Sequence, residues 1–208
     1  NLDVNGNSIV SASNGNIAVT PNGTGDVILD GLKWPQADGT ANYVLKTNGS
    51  AQLSWTSQAG KVLQVVQTTK LDTFSMTSTT MADVTGLSVA ITPASTSNKV
   101  LVFCMISGGG TNASAFNLLR GTTNLLVPSS PGSRSPGAAV LGFGSSPGMV
   151  NGVTIMYLDS PSSTSATTYK IQTAAVTAEA NVNCSSEDNN DASQQRATST
   201  ITAIEIGA

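Results

Sequence analysis

The chain has 208 residues and a formal net charge of −3, and only 10% of its residues are charged, against about 25% in an ordinary soluble domain. It contains no histidine, whereas Ser, Thr and Asn make up about a third of it. Without an imidazole, Ser-His-Asp and Cys-His catalysis are excluded, and so are zinc sites built on histidine. Lys and Arg form no cluster and no apolar run approaches about 20 residues, so we expect neither a nucleic-acid partner nor insertion into a membrane.

Residues 1–60 consist of short apolar pieces separated by turns of the Asn-Gly and Asp-Gly type, which recur about every eight or nine residues. The apolar pieces lie at 9–10, 17–19 and 27–29. Asn-Gly and Asp-Gly favour type I′ hairpin turns because both central residues tolerate a positive φ. Strands this short cannot bury enough apolar surface to offset their chain entropy. We therefore predict a β-rich shaft segment that winds around other copies of itself.

Both tryptophans of the chain, Trp34 and Trp55, fall in this first region. Aromatic residues make up only 4% of the chain. Large aromatic side chains dominate the energetics of protein interfaces. The two tryptophans are therefore our candidates for contacts between chains.

Residues 61–208 show the alternation and turn spacing of an antiparallel β-sandwich of the jelly-roll kind. The run at 100–106 is apolar throughout, which predicts a central strand buried on both faces. The other predicted strands cover 61–69, 87–92, 115–120, 124–127, 152–158, 167–177 and 198–206. The sequence thus predicts an all-β protein with a shaft segment at 1–60 and a C-terminal sandwich, the head, at 61–208.

The densest group of oxygen ligands lies at 187–191 and consists of Glu187, Asp188, Asn189, Asn190 and Asp191. Hard cations such as Ca²⁺ take six to eight oxygen ligands, but this stretch lacks the spacing of an EF-hand loop. A solvated loop tip is the simpler interpretation, and a loop that contacts a ligand is an intermediate one. We expect no metal or other cofactor.

Three further features have two interpretations each. Residues 144–148 match the Gly-x-Ser-x-Gly nucleophile elbow, but without a histidine base an ordinary turn is the better interpretation. Cys104 and Cys184 are either two buried thiols or one disulfide. Arg134, on a Pro/Gly loop, is either a solvated surface residue or a contact to an acidic glycan.

Residues 30–50 read Asp-Gly-Leu-Lys-Trp-Pro-Gln-Ala-Asp-Gly-Thr-Ala-Asn-Tyr-Val-Leu-Lys-Thr-Asn-Gly-Ser and are followed by Leu-Ser-Trp at 53–55. This segment resembles the junction segments of tail fibres from tailed, especially marine, bacteriophages. The second region resembles the distal domain attached to such segments, in the stretches 74–80, 83–93, 116–121, 157–161 and 185–191. The resemblance implies a homotrimer with an intertwined shaft and a distal β-sandwich head. It also implies that this chain is part of a longer fibre protein.

Together these features predict a non-enzymatic protein of the virion, a trimeric tail fibre whose head contacts a glycan or protein on the host surface. Hydroxyl and amide side chains can bind sugars without strong charge, and several weak heads gain affinity through avidity. Arg134 and residues 187–191 are the candidate receptor contacts. A decoration or scaffolding protein of the capsid or tail, with other virion proteins as partners, is the alternative. A glycan-degrading tailspike is a further one, although paired carboxylates are not evident.

Overall fold

The computed structural model describes residues 6, 15–58, 60–109, 113–129, 132, 137–142 and 148–208. Contacts within the chain divide it into two compact units, Asn1–Gln58 and Ala59–Ala208. The first unit contains two hairpins in its described part. Strand β1 (Ile28–Leu29) pairs with β2 (Leu32–Lys33), and β3 (Tyr43–Thr47) pairs with β4 (Leu53–Ser57).

The turns of the first unit follow from its sequence. Asp30 and Gly31 both have a positive φ, 48° and 77°, as a type I′ turn between β1 and β2 requires. The loop between β3 and β4 is longer and covers residues 48–52. Two of its residues, Gly49 and Ala51, have a positive φ. The side-chain oxygen of Asn48 holds it by accepting hydrogen bonds from the backbone nitrogens of Ser50 and Gln52.

The second unit contains eleven strands in its described part. They are β5 (Val62–Lys70), β6 (Phe74–Met76), β7 (Ala82–Ile91), β8 (Lys99–Gly109), β9 (Ala113–Arg120), β10 (Thr123–Asn124), β11 (Ala139–Gly142), β12 (Asn151–Asp159), β13 (Thr167–Ala175), β14 (Ala180–Val182) and β15 (Ser199–Ile206). All of their pairings are antiparallel.

These strands form two sheets that pack against each other. The six-stranded sheet has the order β5-β15-β8-β14-β6, and β12 pairs with β8 as well. The five-stranded sheet has the order β10-β9-β13-β7, with β11 also paired to β9. The described residues contain no helix, and among them no segment meets the length and hydropathy of a helix that could cross a membrane. The predicted all-β fold with an antiparallel sandwich is confirmed.

The core lies between the two sheets, and long strands such as β8 and β15 contribute alternate residues to it. Val102, Cys104 and Ile106 of β8 are fully buried, and Tyr169 and Ile171 of β13 face them from the other sheet. This period of two is what an antiparallel sheet with one packed face requires.

The alternation of buried residues along β7 is interrupted by a bulge. Val84 and Leu87 are both buried although they lie three positions apart, an odd spacing that would put them on opposite faces of a regular strand. Gly86, with a φ of 80°, lies between them, and the pairing with β13 shifts register at this point. The left-handed residue re-aims the strand, so both apolar side chains point inward.

Three sequence-based expectations were wrong in detail. Strand β8 is central, but it is buried on one face only, because the sandwich has two layers and its outward side chains Phe103 and Met105 are exposed. Residues 17–19 form no strand. The strand expected at 124–127 is limited to β10, since the chain after Asn124 leaves the ladder and Leu125 and Leu126 pack against the core.

Candidate functional site

Trp34 and Trp55 line the same cleft of the first unit, which has a volume of about 630 Å³. Trp34 directly follows β2, and its backbone nitrogen donates to Val27 O at 2.9 Å. Trp55 lies in β4, and its indole Nε1 donates to Ala37 O at 2.9 Å. The sequence indicated the two tryptophans separately, whereas the fold of the unit places both on one cleft.

Polar contacts hold the wall of this tryptophan cleft in place. Lys33 Nζ lies 2.7 Å from Asp26 Oδ2. Gln36 Nε2 donates to Gly25 O at 2.6 Å and to Asp26 Oδ1 at 3.0 Å. Trp34 and Trp55 remain 39% and 37% exposed, so part of their indole surface is available to an apolar or aromatic group.

The first unit has no core of its own among the residues that the structure describes. None of residues 15–58 is buried. Large hydrophobic side chains are exposed throughout it, namely Ile17, Val19, Ile28, Leu29, Leu32, Trp34, Tyr43, Val44 and Trp55. Exposed apolar side chains in this number make the first unit a candidate interaction surface.

The loop between β14 and β15 forms a second cleft, of about 460 Å³, on the second unit. It is lined by Asp188, Asn189, Asn190, Asp191, Gln194 and Arg196. The structure thus brings four of the five candidate residues at 187–191 around one cleft. Glu187 is not among the lining residues. Its carboxylate accepts a hydrogen bond from Gln194 Nε2 at 3.1 Å.

The carboxylates of this acidic loop are engaged in local bonds. Asp188 receives two hydrogen bonds from Arg196, of 2.8 and 2.9 Å, and this guanidinium lowers the pKa of Asp188. The backbone nitrogen and hydroxyl of Ser193 donate to Asp191 Oδ1, and the backbone bond is the main reason for its lowered pKa. Within the described ranges, no three acidic, histidine or cysteine side chains converge as they would to hold a metal ion.

Asp159 and Tyr169, which are buried, form a polar cluster with the partly exposed Arg120, and the sequence did not reveal it. Arg120 Nη1 lies 2.8 and 2.7 Å from the two oxygens of Asp159, and the Tyr169 hydroxyl donates to Asp159 Oδ2 at 2.7 Å. Asp159 ends a strand of one sheet, while the other two belong to the other sheet. The cluster therefore connects the two sheets. In the sequence it is indicated only by charged residues at the ends of two strands, Arg120 in β9 and Asp159 in β12.

Glu205 is a second buried acid, and it has no cation partner among the contacts described. Its side chain is fully buried in β15. Burial raises its pKa, but three donated hydrogen bonds outweigh burial, and the pKa lies below its ordinary value. The donors are Gln64 Nε2, Asn98 Nδ2 and the backbone nitrogen of Ala94, at 2.6, 2.6 and 2.7 Å.

Of the remaining candidates, the structure describes the two cysteines. Cys104 and Cys184 are both buried and unpaired, and burial raises the pKa of the Cys104 thiol to about 12. Arg134 lies outside the described residues, and so do residues 143–147, which include most of the Gly-x-Ser-x-Gly motif.

The described chain thus belongs to the class of all-β proteins with an antiparallel sandwich. Among solved structures it is similar to a structure of the infectious bursal disease virus Gx strain, with a TM-score of 0.36 and 14% identity. It is also similar to the crystal structure of the VP2 subviral particle of infectious bursal disease virus, with a TM-score of 0.34 and 12% identity. Each match covers 75% of this chain and 40% of the other.

At TM-scores this low, we transfer neither fold nor function from these two proteins. No family model and no curated protein matches the chain.

Proposed function

We propose that this chain is a non-enzymatic structural protein of a virus particle. Three copies would form the end of a bacteriophage tail fibre, and the second unit would be the head that contacts the host cell. The observation that carries the proposal is the first unit, in which none of residues 15–58 is buried and nine large hydrophobic side chains are exposed. Such a segment gains its stability from neighbours, and identical copies supply them by symmetry.

The tryptophan cleft gives this assembly a specific contact. Trp34 and Trp55 offer two indole faces in one cleft, next to a neutralised Lys33–Asp26 pair. Aromatic anchors in pockets carry much of the binding energy of protein interfaces. We infer that an apolar side chain of a neighbouring copy occupies this cleft.

The acidic loop is the proposed receptor contact of the head. Asn189 and Asn190 are exposed on its cleft, and their amides can donate and accept hydrogen bonds. Asp188 and Arg196 neutralise each other beside them. A polar cleft lined by amides and by the Asp191 carboxylate, which can accept hydrogen bonds from sugar hydroxyls, suits a glycan, and three weak heads on one fibre would gain affinity through avidity.

The test is to locate the chain in intact particles. Antibodies against residues 59–208, coupled to gold, would be imaged on purified phage by electron microscopy. We expect the label at the tips of the tail fibres. Label spread over the capsid or the tail tube would overturn the fibre proposal in favour of a decoration protein. In parallel, release of reducing ends from host polysaccharide by the purified chain would contradict the absence of enzymatic activity.

A further inference from the structure

The carboxylate of Asp38 lies against the backbone nitrogen that follows it in the chain. Gly39 N donates to Asp38 Oδ1 at 2.8 Å, and Asp38 is exposed to solvent. Because Cγ is bonded to Oδ1, the nitrogen also lies close to the carbon of the carboxyl group. The two atoms that would react to close a ring are therefore already held in contact in the folded chain.

Trp55 fixes the backbone around this pair. A Cβ atom at position 39 would lie 2.7 Å from Cγ and Cδ2 of the Trp55 ring, so the ring packs where only glycine fits. Glycine is also the residue that lets other groups approach the backbone most closely. On the other side of Asp38, Ala37 O accepts from Trp55 Nε1 at 2.9 Å. The indole thus holds the chain on both sides of Asp38.

The chain contains one other Asp-Gly pair, Asp30-Gly31, and its geometry is different. Both of its residues have a positive φ in the turn between β1 and β2. Among the contacts described for these two residues, there is no hydrogen bond from Gly31 N to the Asp30 carboxylate. The two pairs consist of the same residues, so a difference in their reactivity would come from the fold.

We propose that Asp38 is a site of spontaneous modification, at which the peptide bond to Gly39 rearranges to an isoaspartyl bond. The Gly39 nitrogen forms a bond to Asp38 Cγ, while its proton and the hydroxyl of the protonated carboxyl group leave as water, so that a five-membered imide results. A second water then breaks the bond between this nitrogen and the main-chain carbonyl carbon of Asp38. Its hydroxyl goes to the carbon and its proton to the nitrogen. Gly39 stays linked through Cγ, and the mass of the chain is unchanged.

The rearrangement would alter one wall of the tryptophan cleft, which Asp38 lines. The isoaspartyl bond adds Cβ of Asp38 to the main chain, so the path from Ala37 to Gly39 becomes one atom longer. The contacts that Ala37 O and Gly39 make with the Trp55 ring then no longer fit together. We therefore expect the indole of Trp55 to move. This inference concerns the single chain and does not depend on the proposed fibre.

The test compares the two Asp-Gly pairs within the same full chain. Folded and denatured samples are incubated at about pH 5, because a carboxyl group reacts in its protonated form. Trypsin then releases residues 34–46, which contain Asp38, and residues 1–33, which contain Asp30. Fragmentation by electron transfer in a mass spectrometer distinguishes isoaspartyl from aspartyl bonds.

In the folded chain Asp38 should rearrange at least about tenfold faster than Asp30, because its reacting atoms are held in contact. In denaturant the Asp38 rate should fall to that of Asp30. Equal rates of the two residues in the folded chain would overturn the inference, and so would an Asp38 rate that denaturant does not lower.

Asp38→Glu is the matched variant, because it keeps the carboxylate but its longer side chain cannot close a five-membered imide with the Gly39 nitrogen. The tryptophan emission of the wild-type chain should shift with the time course at which isoaspartate appears at Asp38, whereas the emission of the variant stays constant. A constant wild-type emission while isoaspartate accumulates would overturn the expected effect on the cleft. None of these measurements follows assembly, so their failure leaves the proposed fibre trimer standing.

Discussion

The hydroxyl of Tyr169 donates a 2.7 Å hydrogen bond to Asp159 Oδ2, and this bond joins the five-stranded sheet to the six-stranded one. Burial, reinforced by the Asp159 carboxylate, raises the pKa of Tyr169, which keeps the phenol protonated as a donor. Arg120, which also belongs to the five-stranded sheet, forms an ion pair with the same Asp159 carboxylate. One acid thus holds two side chains of the opposite layer in place.

Replacement of Asp159 by Asn should lower the free energy of unfolding by about 3 kcal/mol, because removing one partner of a buried ion pair leaves the other charge without compensation. We choose the low end of the usual range since the Arg120 side chain is 31% exposed. Denaturant titration measures the change. The control is Asp83→Asn, which breaks the more exposed pair with Lys170 and should cost less than about 1 kcal/mol. Equal losses in the two variants would contradict the structural role of the cluster.

Replacement of Gly39 by Ala should displace the Trp55 ring. A Cβ atom at position 39 would lie 2.7 Å from Cγ and Cδ2 of Trp55, closer than real atoms approach. The displaced indole would lose its 2.9 Å bond to Ala37 O, and its fluorescence emission should shift. Gly142→Ala is the matched control, because a Cβ there meets nothing within 4 Å. Identical emission spectra of the two variants would disprove the close packing of Gly39 on Trp55.

Replacement of Trp34 or Trp55 by Ala should lower the temperature at which the assembly dissociates. Aromatic anchors at interfaces typically cost about 2 kcal/mol or more when truncated. Light scattering during a thermal ramp follows the dissociation. Leu71→Ala, a smaller truncation of an exposed apolar side chain in a loop of the second unit, should leave the profile unchanged. If the tryptophan variants dissociate like the Leu71 variant, the cleft is not an intersubunit contact.

Acid should destabilise the second unit through Glu205. The native pKa of Glu205 lies below its ordinary value of 4.5. A carboxyl group whose pKa is lowered by folding contributes stability above the unfolded value, and this contribution is lost as the pH falls through the native value. Denaturant titrations between pH 7 and pH 2 should therefore bring wild type and Glu205→Gln together at low pH. A constant difference between them at every pH would be inconsistent with this assignment.

Replacement of both Asn189 and Asn190 by Ala should reduce the ability of the purified chain to block adsorption of the phage. The double variant removes exposed amides from the acidic loop and leaves the Asp188–Arg196 pair intact. The control changes Thr79 and Thr80, exposed in a different loop of the same unit, to Ala. Adsorption assays with increasing amounts of each protein provide the measurement. Full blocking by the Asn variant would remove this loop as the receptor contact.

Local patterns were sufficient to predict the long strands of the second unit. The alternation of apolar residues in β7 and β15 and the run in β8 reflect how each strand meets the core. The same patterns could not identify β6, β11 and β14, which have only three or four residues each. Strands this short form by backbone hydrogen bonding to a neighbouring strand, as β11 does with β9 and β14 with β8. The bulge at Gly86 was equally hidden, since a glycine can also mark a turn.

The candidate sites were predictable as residues but not as arrangements. The rarity of aromatic residues indicated Trp34 and Trp55, yet their common cleft depends on the position of β4 relative to β2, which is set by backbone pairing of Lys33 with Ala51 and Gln52. Arg196 lies eight residues from Asp188, and its bidentate bond to that carboxylate depends on how the intervening loop folds back. Such approaches follow from tertiary structure rather than from spacing.

The most direct test of the account is the mass of the full chain in dilute solution. Sedimentation equilibrium at decreasing protein concentration measures it, and circular dichroism on the same samples reports folding. The first unit has no buried residue in its described part, so we predict a particle of three chains whose dissociation is accompanied by loss of structure in residues 1–58. A monomer of 21.0 kDa that keeps this region folded would contradict the proposal that the first unit needs neighbouring copies for its stability.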